Sequence, residues 1–197
     1  YPVPQLTVTQ IIERKNVQGL WEAANSVVSG QIIRFTLITR LTNQPATWMN
    51  QQLRATVPKG LAQLSAATLT KQSAAGLSTP IAGLQLLTDS STGLPYWSYH
   101  NSLPADNFTE ANTQFTLQYT ATVTEEWINQ FLLFSSTVTG DDGGGTPITP
   151  ITKEQSLPIK NGTLRFVQMP TTVSFKNLPF PSKRTIYSPS TISAPFL

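Results

Sequence analysis

Hydrophobic and polar residues alternate along much of this chain. The alternation is clearest at residues 115–124, where Phe, Leu, Tyr, Ala and Val take the odd positions and Thr or Gln the even ones. Residues 33–41 repeat the pattern, with Ile, Phe and Leu on one side and Arg, Thr and Ile on the other. Because successive side chains of a β-strand point to opposite faces, each segment predicts a strand with one buried and one solvent-facing side.

Shorter apolar segments follow one another between turn-forming residues. Turn signals separate them at 29–30, 58–60, 92–93, 103–104 and 141–143. Short strands separated by turns favour an all-β fold, and we predict an immunoglobulin-like antiparallel β-sandwich with an additional strand-bearing C-terminal segment. The further strand candidates are 6–12, 52–57, 84–87, 132–138, 164–167 and 172–175. Residues 61–70, which contain several alanines, and 125–131 are alternative candidates for short helices.

Glycine and proline divide the chain into three predicted parts. Residues 1–142 carry the clear alternation and form the predicted sandwich. Residues 143–156 begin with three glycines and contain two prolines, which indicates a linker or an exposed loop. Residues 157–197 are rich in proline, which cannot donate to a strand ladder, and we expect a strand-bearing tail there.

The composition indicates a polar but nearly uncharged surface. Charged residues make up 12% of the chain, against about 25% in an average soluble domain, and Thr, Ser, Gln and Asn replace them. The chain has no cysteine, which excludes disulfides, cysteine-ligated zinc and thiol catalysis. Absence of disulfides is usual for surface proteins of Gram-positive bacteria, and the threonine-rich surface favours an extracellular location over a small cytosolic protein.

The cationic residues do not form a binding stripe. The 13 lysine and arginine residues are scattered, although the net charge is +3. We therefore predict no nucleic-acid partner. No apolar segment is long enough to cross a bilayer, so we predict no membrane insertion.

Two segments resemble domains of bacterial surface proteins. Residues 28–43, with a glycine turn and an alternating strand, and 56–61, Thr-Val-Pro-Lys-Gly-Leu, resemble a repeat domain of Lactobacillus-type cell-surface proteins. Residues 115–124 and 136–140 resemble the closing strands of that repeat. The resemblance implies an immunoglobulin-like sandwich of surface-repeat type over 1–142.

The second resemblance lies in the tail. Residues 162–170 and 173–175 resemble the opening of a WxL domain, in which a Gly-x-Leu strand leads to a proline and a phenylalanine. Phe175 is followed by Lys176 rather than glycine, and no Trp-x-Leu occurs in the chain. The resemblance implies a secreted protein that associates with the cell wall and with partner surface proteins.

No motif for catalysis is present. His100 is the only histidine, and no Gly-x-Ser-x-Gly element presents a nucleophile to it. The ten acidic residues occur singly or in surface-like pairs, which does not favour glycoside hydrolysis. We therefore predict that the protein is not an enzyme and needs no cofactor.

Two further chemistries have sequence candidates. Asp141 and Asp142 precede three glycines; this is a calcium loop or, with the larger weight, a solvated turn. An intramolecular Lys–Asn isopeptide bond would join a lysine to an asparagine near an acid. Its candidates are Lys15, Lys59 and Lys71 as amines, Asn43 and Asn112 as acceptors, and Glu13 and Glu110 as acids.

The densest aromatic segment supplies the candidate binding site. Tyr96, Trp97, Tyr99 and His100 lie between Gly-Leu-Pro and Leu-Pro-Ala-Asp turn signals, which predicts an aromatic loop. Such a loop offers stacking faces to sugars or to a partner protein; alternatively, Trp97 and Tyr99 cap one end of the sandwich.

The sequence thus predicts a non-enzymatic module of a secreted Gram-positive surface protein, acting in adhesion, partner binding or as a spacer. Expected partners are cell-wall polymers or other surface proteins, and host glycans or matrix proteins. The alternative is a carbohydrate-binding accessory domain of a cell-wall-active enzyme.

Overall fold

A computed structural model of the chain describes residues 1–124 and 130–160. The strands predicted at 164–167 and 172–175, the WxL-like segment and most of the helix candidate at 125–131 lie outside these residues. The described residues contain thirteen strands and one 3₁₀ turn, Pro104–Asp106. None of them forms a helix that could span a membrane. The strands are β1 (Leu6–Lys15), β2 (Trp21–Ala23), β3 (Val27–Val28), β4 (Ile32–Leu41), β5 (Met49–Thr56), β6 (Leu61–Ala62), β7 (Thr68–Gln72), β8 (Ser78–Pro80), β9 (Gln85–Thr88), β10 (Pro95–His100), β11 (Gln114–Val123), β12 (Phe131–Asp141) and β13 (Ile151–Lys160).

The strands form two sheets that pack face to face. The first sheet has the order β2-β1-β4-β11-β7-β8, and β6 also pairs with β11. The second has the order β3-β13-β12-β5-β10-β9. All neighbours are antiparallel except β3 and β13, which pair in parallel over two residues. The predicted all-β, immunoglobulin-like sandwich is confirmed.

The strongest alternation in the sequence gives the central strands of the first sheet. β11 pairs with β4 from Gln114↔Arg40 to Thr122↔Ile32. All five odd-numbered residues of β11 are buried, and the even-numbered ones face outward. The period-two pattern thus corresponds to one face in the core and one in solvent.

Aromatic side chains fill the space between the sheets. Phe35 of the first sheet stacks between Tyr119, at 5.1 Å between ring centroids, and Phe134 of the second sheet, at 5.7 Å. Towards one end of the sandwich, Trp48 packs edge-on against Phe108 at 5.0 Å. The Trp48 indole N–H donates to the Thr139 carbonyl at 3.2 Å, which ties this end together; we call it the Trp48 end.

Gly140 is required by this packing. A Cβ at position 140 would lie 2.3 Å from Nε1 of Trp48, and the residue has a φ of +155°. Only glycine lets the β12 backbone approach the indole so closely.

The first and last described strands run in the same direction. β1 begins at the Trp48 end, because Leu6 pairs with Leu41 there. β13 also begins at that end, because Ile151 pairs with Val138, next to Thr139. β1 and β13 lie in different sheets, and the chain enters the sandwich at the Trp48 end and reaches Lys160 at the opposite end.

The sandwich continues beyond the boundary predicted at residue 142. Residues 142–150 form the connection between β12 and β13, but 151–156 of the predicted 143–156 linker belong to β13, which pairs with β12 along its length. Residues 157–160, assigned to the tail, complete the same strand, and Leu157 and Ile159 are buried. The sandwich therefore extends at least to Lys160. Within the described residues β13 meets β3 only at its last two residues, so most of β13 is an edge strand there, which tolerates Pro158 and polar residues on both faces.

The helix alternative at 61–70 is wrong. These residues supply β6 and the start of β7, and both strands pair with β11. Leu69 is buried in the core, so tertiary packing overrides the helix preference of the alanines.

Candidate binding surface on the second sheet

The four residues of the predicted aromatic loop lie in a strand, not in a loop. They occupy β10, which pairs with β5 on one side and β9 on the other. Strand alternation therefore divides them between two faces. Trp97 and Tyr99 point into the core, with 7% and 3% of their surface exposed, whereas His100 is exposed and Tyr96 half-buried on the outer face. The prediction of an aromatic loop is wrong, because these residues form β10; Tyr96 and His100 lie on its outer face, and Trp97 and Tyr99 are buried in the core rather than capping one end of the sandwich.

Tyr96 carries an arginine on its ring. The Arg54 guanidinium carbon lies 3.7 Å from the ring centroid. Arg54 comes from β5, where its outward position places it beside β10. The same guanidinium pairs with the Asp89 carboxylate at 2.6 Å. Tyr96, Arg54 and Asp89 form a cluster that we call the Tyr96 cluster.

The loop between β9 and β10 holds Asp89 in place. Its Oδ1 accepts hydrogen bonds from the Ser91 hydroxyl at 2.6 Å, the Ser91 N–H at 2.8 Å and the Thr92 N–H at 3.2 Å. These bonds to the charged form, together with the bond from Arg54, lower the pKa of Asp89 to about 2. The carboxylate is ionised throughout the neutral range and pairs with the Arg54 charge there.

A buried amide network lies beyond His100. Gln51 is fully buried and donates to the carbonyls of Trp48 at 2.9 Å and Asp106 at 3.2 Å. The Asn101 side chain donates to the Gln51 amide oxygen at 2.7 Å and to that of Asn107 at 2.9 Å. The network satisfies polar groups that would be costly to bury alone, and it fixes the connection from β10 to β11.

Tyr99 packs between this network and the core. Its ring contacts Phe115 edge-on, with 5.5 Å between centroids. Burial, followed by the negative charge of Asp106, raises the pKa of Tyr99 to about 12. Tyr99 is thus a neutral core residue rather than a binding residue.

Two of the isopeptide candidates, Lys71 and Asn43, have other hydrogen-bond partners. Lys71 Nζ donates to the main-chain carbonyls of Ala105 at 3.0 Å and Asn107 at 3.1 Å. The Asn43 amide instead binds the main chain near the first strand. Desolvation lowers the pKa of Lys71, but its hydrogen bonds fasten the 104–107 turn to β7, which is a structural role.

The carboxylates of the Asp-Asp-Gly-Gly-Gly segment bind their own loop. Asp141 accepts from the Gly143 N–H at 2.8 Å and from the Asn50 side chain. Asp142 accepts from the N–H groups of Gly144 and Thr146, and the bond from Gly144 is the main reason that its pKa is lowered. Within the described residues no three His, Cys, Asp or Glu side chains are grouped for a metal ion.

Sequence reasoning missed Arg54 and Asp89. A signal for Arg54 was present, since it occupies an outward position of a predicted strand. The Asp-Ser-Ser-Thr-Gly segment at 89–93 is a recognisable Asp-capped turn. What the sequence did not reveal is the pairing of β5, β10 and β9, which brings the two residues to Tyr96.

Comparisons with known proteins identify the fold. The structure is similar to the C-terminal domain of AspA, an antigen I/II-family protein of Streptococcus pyogenes, with a TM-score of 0.51, 10% identity, and coverage of 77% of this chain and 46% of that chain. It is also similar to a variant of BcpA, the major pilin subunit of Bacillus cereus, with a TM-score of 0.51, 10% identity, and coverage of 80% and 40%. No protein-family model matches the sequence, and a search of curated proteins finds no match.

The similarity concerns the fold and part of each neighbour. This chain spans less than half the length of the two solved structures. At 10% identity, the likeness establishes a shared β-sandwich architecture. The described part of the chain is therefore an immunoglobulin-like sandwich of the kind found in Gram-positive antigen I/II and pilin proteins.

Proposed function

We propose that this protein is a non-enzymatic, extracellular module of a Gram-positive cell-surface protein, and that it transmits mechanical load along the chain while displaying its outer sheet faces to partners. The fold likeness to an antigen I/II-family domain and to a pilin subunit supports this proposal. Charged residues make up only 12% of the chain, which is compatible with such exposure.

The direction of β1 and β13 is the observation that carries the proposal. β1 enters at the Trp48 end and is paired with β4 over nine residues. β13 leaves at the opposite end and is paired with β12 over eight residues. A pull on the two ends therefore acts along both strands. Antiparallel hydrogen bonds are perpendicular to the strands, so such a pull shears the whole ladder at once instead of opening it bond by bond.

Single-molecule force spectroscopy tests this role. Because the chain contains no cysteine, handles can be attached at introduced cysteines. Val3→Cys with Lys160→Cys loads β1 and β13 in shear; both positions are exposed. Gln130→Cys with Lys160→Cys is the matched control, because positions 130 and 160 flank the open end of the β12–β13 hairpin and a pull there unzips it.

We expect a clearly higher unfolding force for the 3–160 pair than for the 130–160 pair at the same loading rate. Forced unfolding reports the barrier to rupture, and the two geometries differ only in how many bonds break together. Equal forces for the two pairs would remove the argument for a load-bearing role.

Partner binding is the second part of the proposal. Tyr96 and His100 supply an outward aromatic and an outward imidazole on the second sheet, and Arg54 covers the Tyr96 ring. Partners suited to such a surface are other surface proteins, matrix proteins, host glycans or cell-wall polymers. Wall attachment through the WxL-like segment at 162–175 is part of the same proposal and rests on the sequence resemblance. The accessory domain of a cell-wall-active enzyme stays the alternative.

A further inference from the structure

A shallow groove lies on the outer face of the first sheet, on the opposite side of the molecule from the Tyr96 cluster. It runs between β1 and β4 near the Trp48 end and has a volume of about 250 Å³. Its walls carry hydroxyl groups, one amide, one aliphatic side chain and one guanidinium. The lining residues are Thr7, Thr9, Ile38, Arg40, Thr42 and Asn112.

Arg40 is the exceptional residue of this groove. The described residues contain four arginines, and the other three are each paired with a carboxylate; these pairs are Arg14–Glu22, Arg34–Glu13 and Arg54–Asp89. Arg40 has no ion pair within the described residues. Its Nε and Nη2 donate instead to the neutral side-chain oxygen of Gln114, at 3.1 and 2.9 Å.

Gln114 orients Arg40 without neutralising it. β11 pairs with β4 so that Gln114 lies directly opposite Arg40, and the amide oxygen meets one edge of the guanidinium. The planar guanidinium has five donors, and two of its nitrogens face Gln114. Arg40 lines the groove, and its Nη1 takes no part in the hydrogen bonds to Gln114.

The remaining walls fit a polyhydroxylated ligand. Thr7 and Thr9 are exposed outward residues of β1 and can both donate and accept hydrogen bonds. Thr42 donates its hydroxyl to the Gln5 carbonyl at 3.0 Å, so its oxygen remains an acceptor. Ile38 offers an apolar patch on which the face of a sugar ring can lie.

We propose that this groove binds one anionic sugar residue, whose acidic group pairs with Arg40 while its hydroxyl groups bind the threonines. Arginine is suited to this role because a guanidinium pairs with carboxylate or phosphate through parallel hydrogen bonds. The volume is below the range of about 300–1,000 Å³ that is usual for drug-sized ligands, which suits a single sugar unit. The inference goes beyond the load-bearing role and does not depend on it.

Titration of the full chain with defined sugars, followed by amide NMR shifts, tests the proposal. The probes are glucuronate, glucose 6-phosphate, neutral glucose and a triglutamate peptide. We expect saturable shifts at Thr9, Ile38 and Asn112 with at least one anionic sugar, and affinity about tenfold or more weaker for glucose. Comparing the two anionic sugars shows whether carboxylate or phosphate is preferred. The proposal is overturned if glucose binds as tightly as both glucuronate and glucose 6-phosphate. It is also overturned if triglutamate binds as tightly as the anionic sugar with the higher affinity.

Variants identify the residues that bind the anionic sugar. Arg40→Gln should weaken the anionic sugar about tenfold or more, and Thr9→Val should weaken it about two- to fivefold while keeping a β-branched strand residue. Arg34→Gln is the matched control, since Arg34 lies on the same outer face of β4 but pairs with Glu13. Its affinity should equal that of the wild type. Thermal unfolding checks that each variant is folded, and unchanged affinity in a folded Arg40→Gln protein refutes the site.

Discussion

Two outward arginines, Arg54 of the second sheet and Arg40 of the first, have different partners. On the second sheet, Arg54 lies over the Tyr96 ring and pairs with Asp89, so its charge is neutralised within the domain. On the first sheet, Arg40 is held by the neutral amide of Gln114 beside a groove. An arginine that pairs with a carboxylate of the same domain contributes to its structure. An arginine held in place without a carboxylate partner is available to bind an anionic ligand. The comparison separates an arginine whose charge is used within the domain from one whose charge is available to a ligand.

Local topology explains the difference. Asp89 reaches Arg54 because the β9–β10 loop folds back on itself at the sheet edge, with the Asp89 carboxylate capping the turn. Arg40 lies on a central strand, and its cross-strand neighbours are Thr7 and Gln114. Neither neighbour can supply a negative charge.

Substitution within β10 is expected to give the largest change in the free energy of unfolding, and it tests which face of β10 packs into the core. Trp97→Ala should lower the free energy of unfolding by about 3–5 kcal/mol, because it leaves a cavity in the core. Tyr96→Ala should cost only about 1 kcal/mol, since it removes the contact with Arg54 on the outer face. Urea denaturation of the two variants measures the difference.

The β10 pair also serves as its own control, because the two residues are adjacent in sequence and share the same strand. Similar losses for both would mean that β10 does not alternate between core and solvent. A stable Tyr96→Ala protein is also the suitable variant for measuring adhesion to immobilised matrix proteins.

The strands that the sequence predicted well are those with one buried and one solvent-facing side. In β4 and β11 nearly every second residue is buried, so the period is visible without knowledge of the partners. β13 was not recognised because an edge strand with polar residues on both faces lacks that period. The sequence of β10 predicts a loop because its aromatic residues occur on both faces, so hydrophobicity does not alternate along it.

The candidate sites depended on contacts that no local pattern encodes. The sequence predicts a binding role for Tyr96, but Arg54 and Asp89 come from two other segments and meet it only through strand register. The outward position of Arg40 was predictable from the alternation at 33–41. Its lack of a carboxylate partner was not, because that depends on which residues β1 and β11 bring beside it.

Substitution of the core residue Tyr119 is expected to have a smaller effect on stability, and it leaves both outer faces unchanged. Its hydroxyl is buried between the sheets and has no hydrogen-bond partner within the described residues, and burial raises its pKa far above the usual value. Tyr119→Phe should therefore raise the free energy of unfolding by about 1 kcal/mol, because it removes an unsatisfied buried polar group. Chemical denaturation measures the change, and a loss of stability would show that the hydroxyl has a partner.

The ionisation of Asp89 is expected to give the smallest effect, and it tests the comparison between Arg54 and Arg40. Its folded pKa of about 2 lies below the usual 3.8, so the ionised carboxylate stabilises the folded state above about pH 4. That contribution is lost as the pH falls from about 4 towards 2, since protonation weakens the bonds from Ser91, Thr92 and Arg54. Carbon-detected NMR titration of the Asp89 carboxyl follows this directly.

Three variants rank the causes of the lowered pKa of Asp89. The Ser91 hydroxyl is the largest cause and Arg54 a smaller one, so Ser91→Ala should raise the pKa of Asp89 more than Arg54→Gln does. Arg40→Gln, on the opposite face, should leave it unchanged. If Arg54→Gln produced the larger rise, the ion pair rather than the turn would hold the carboxylate. If Arg40→Gln shifted it at all, the two faces would be electrostatically coupled through the sandwich, and Arg40 could not be treated as an isolated charge available to a ligand.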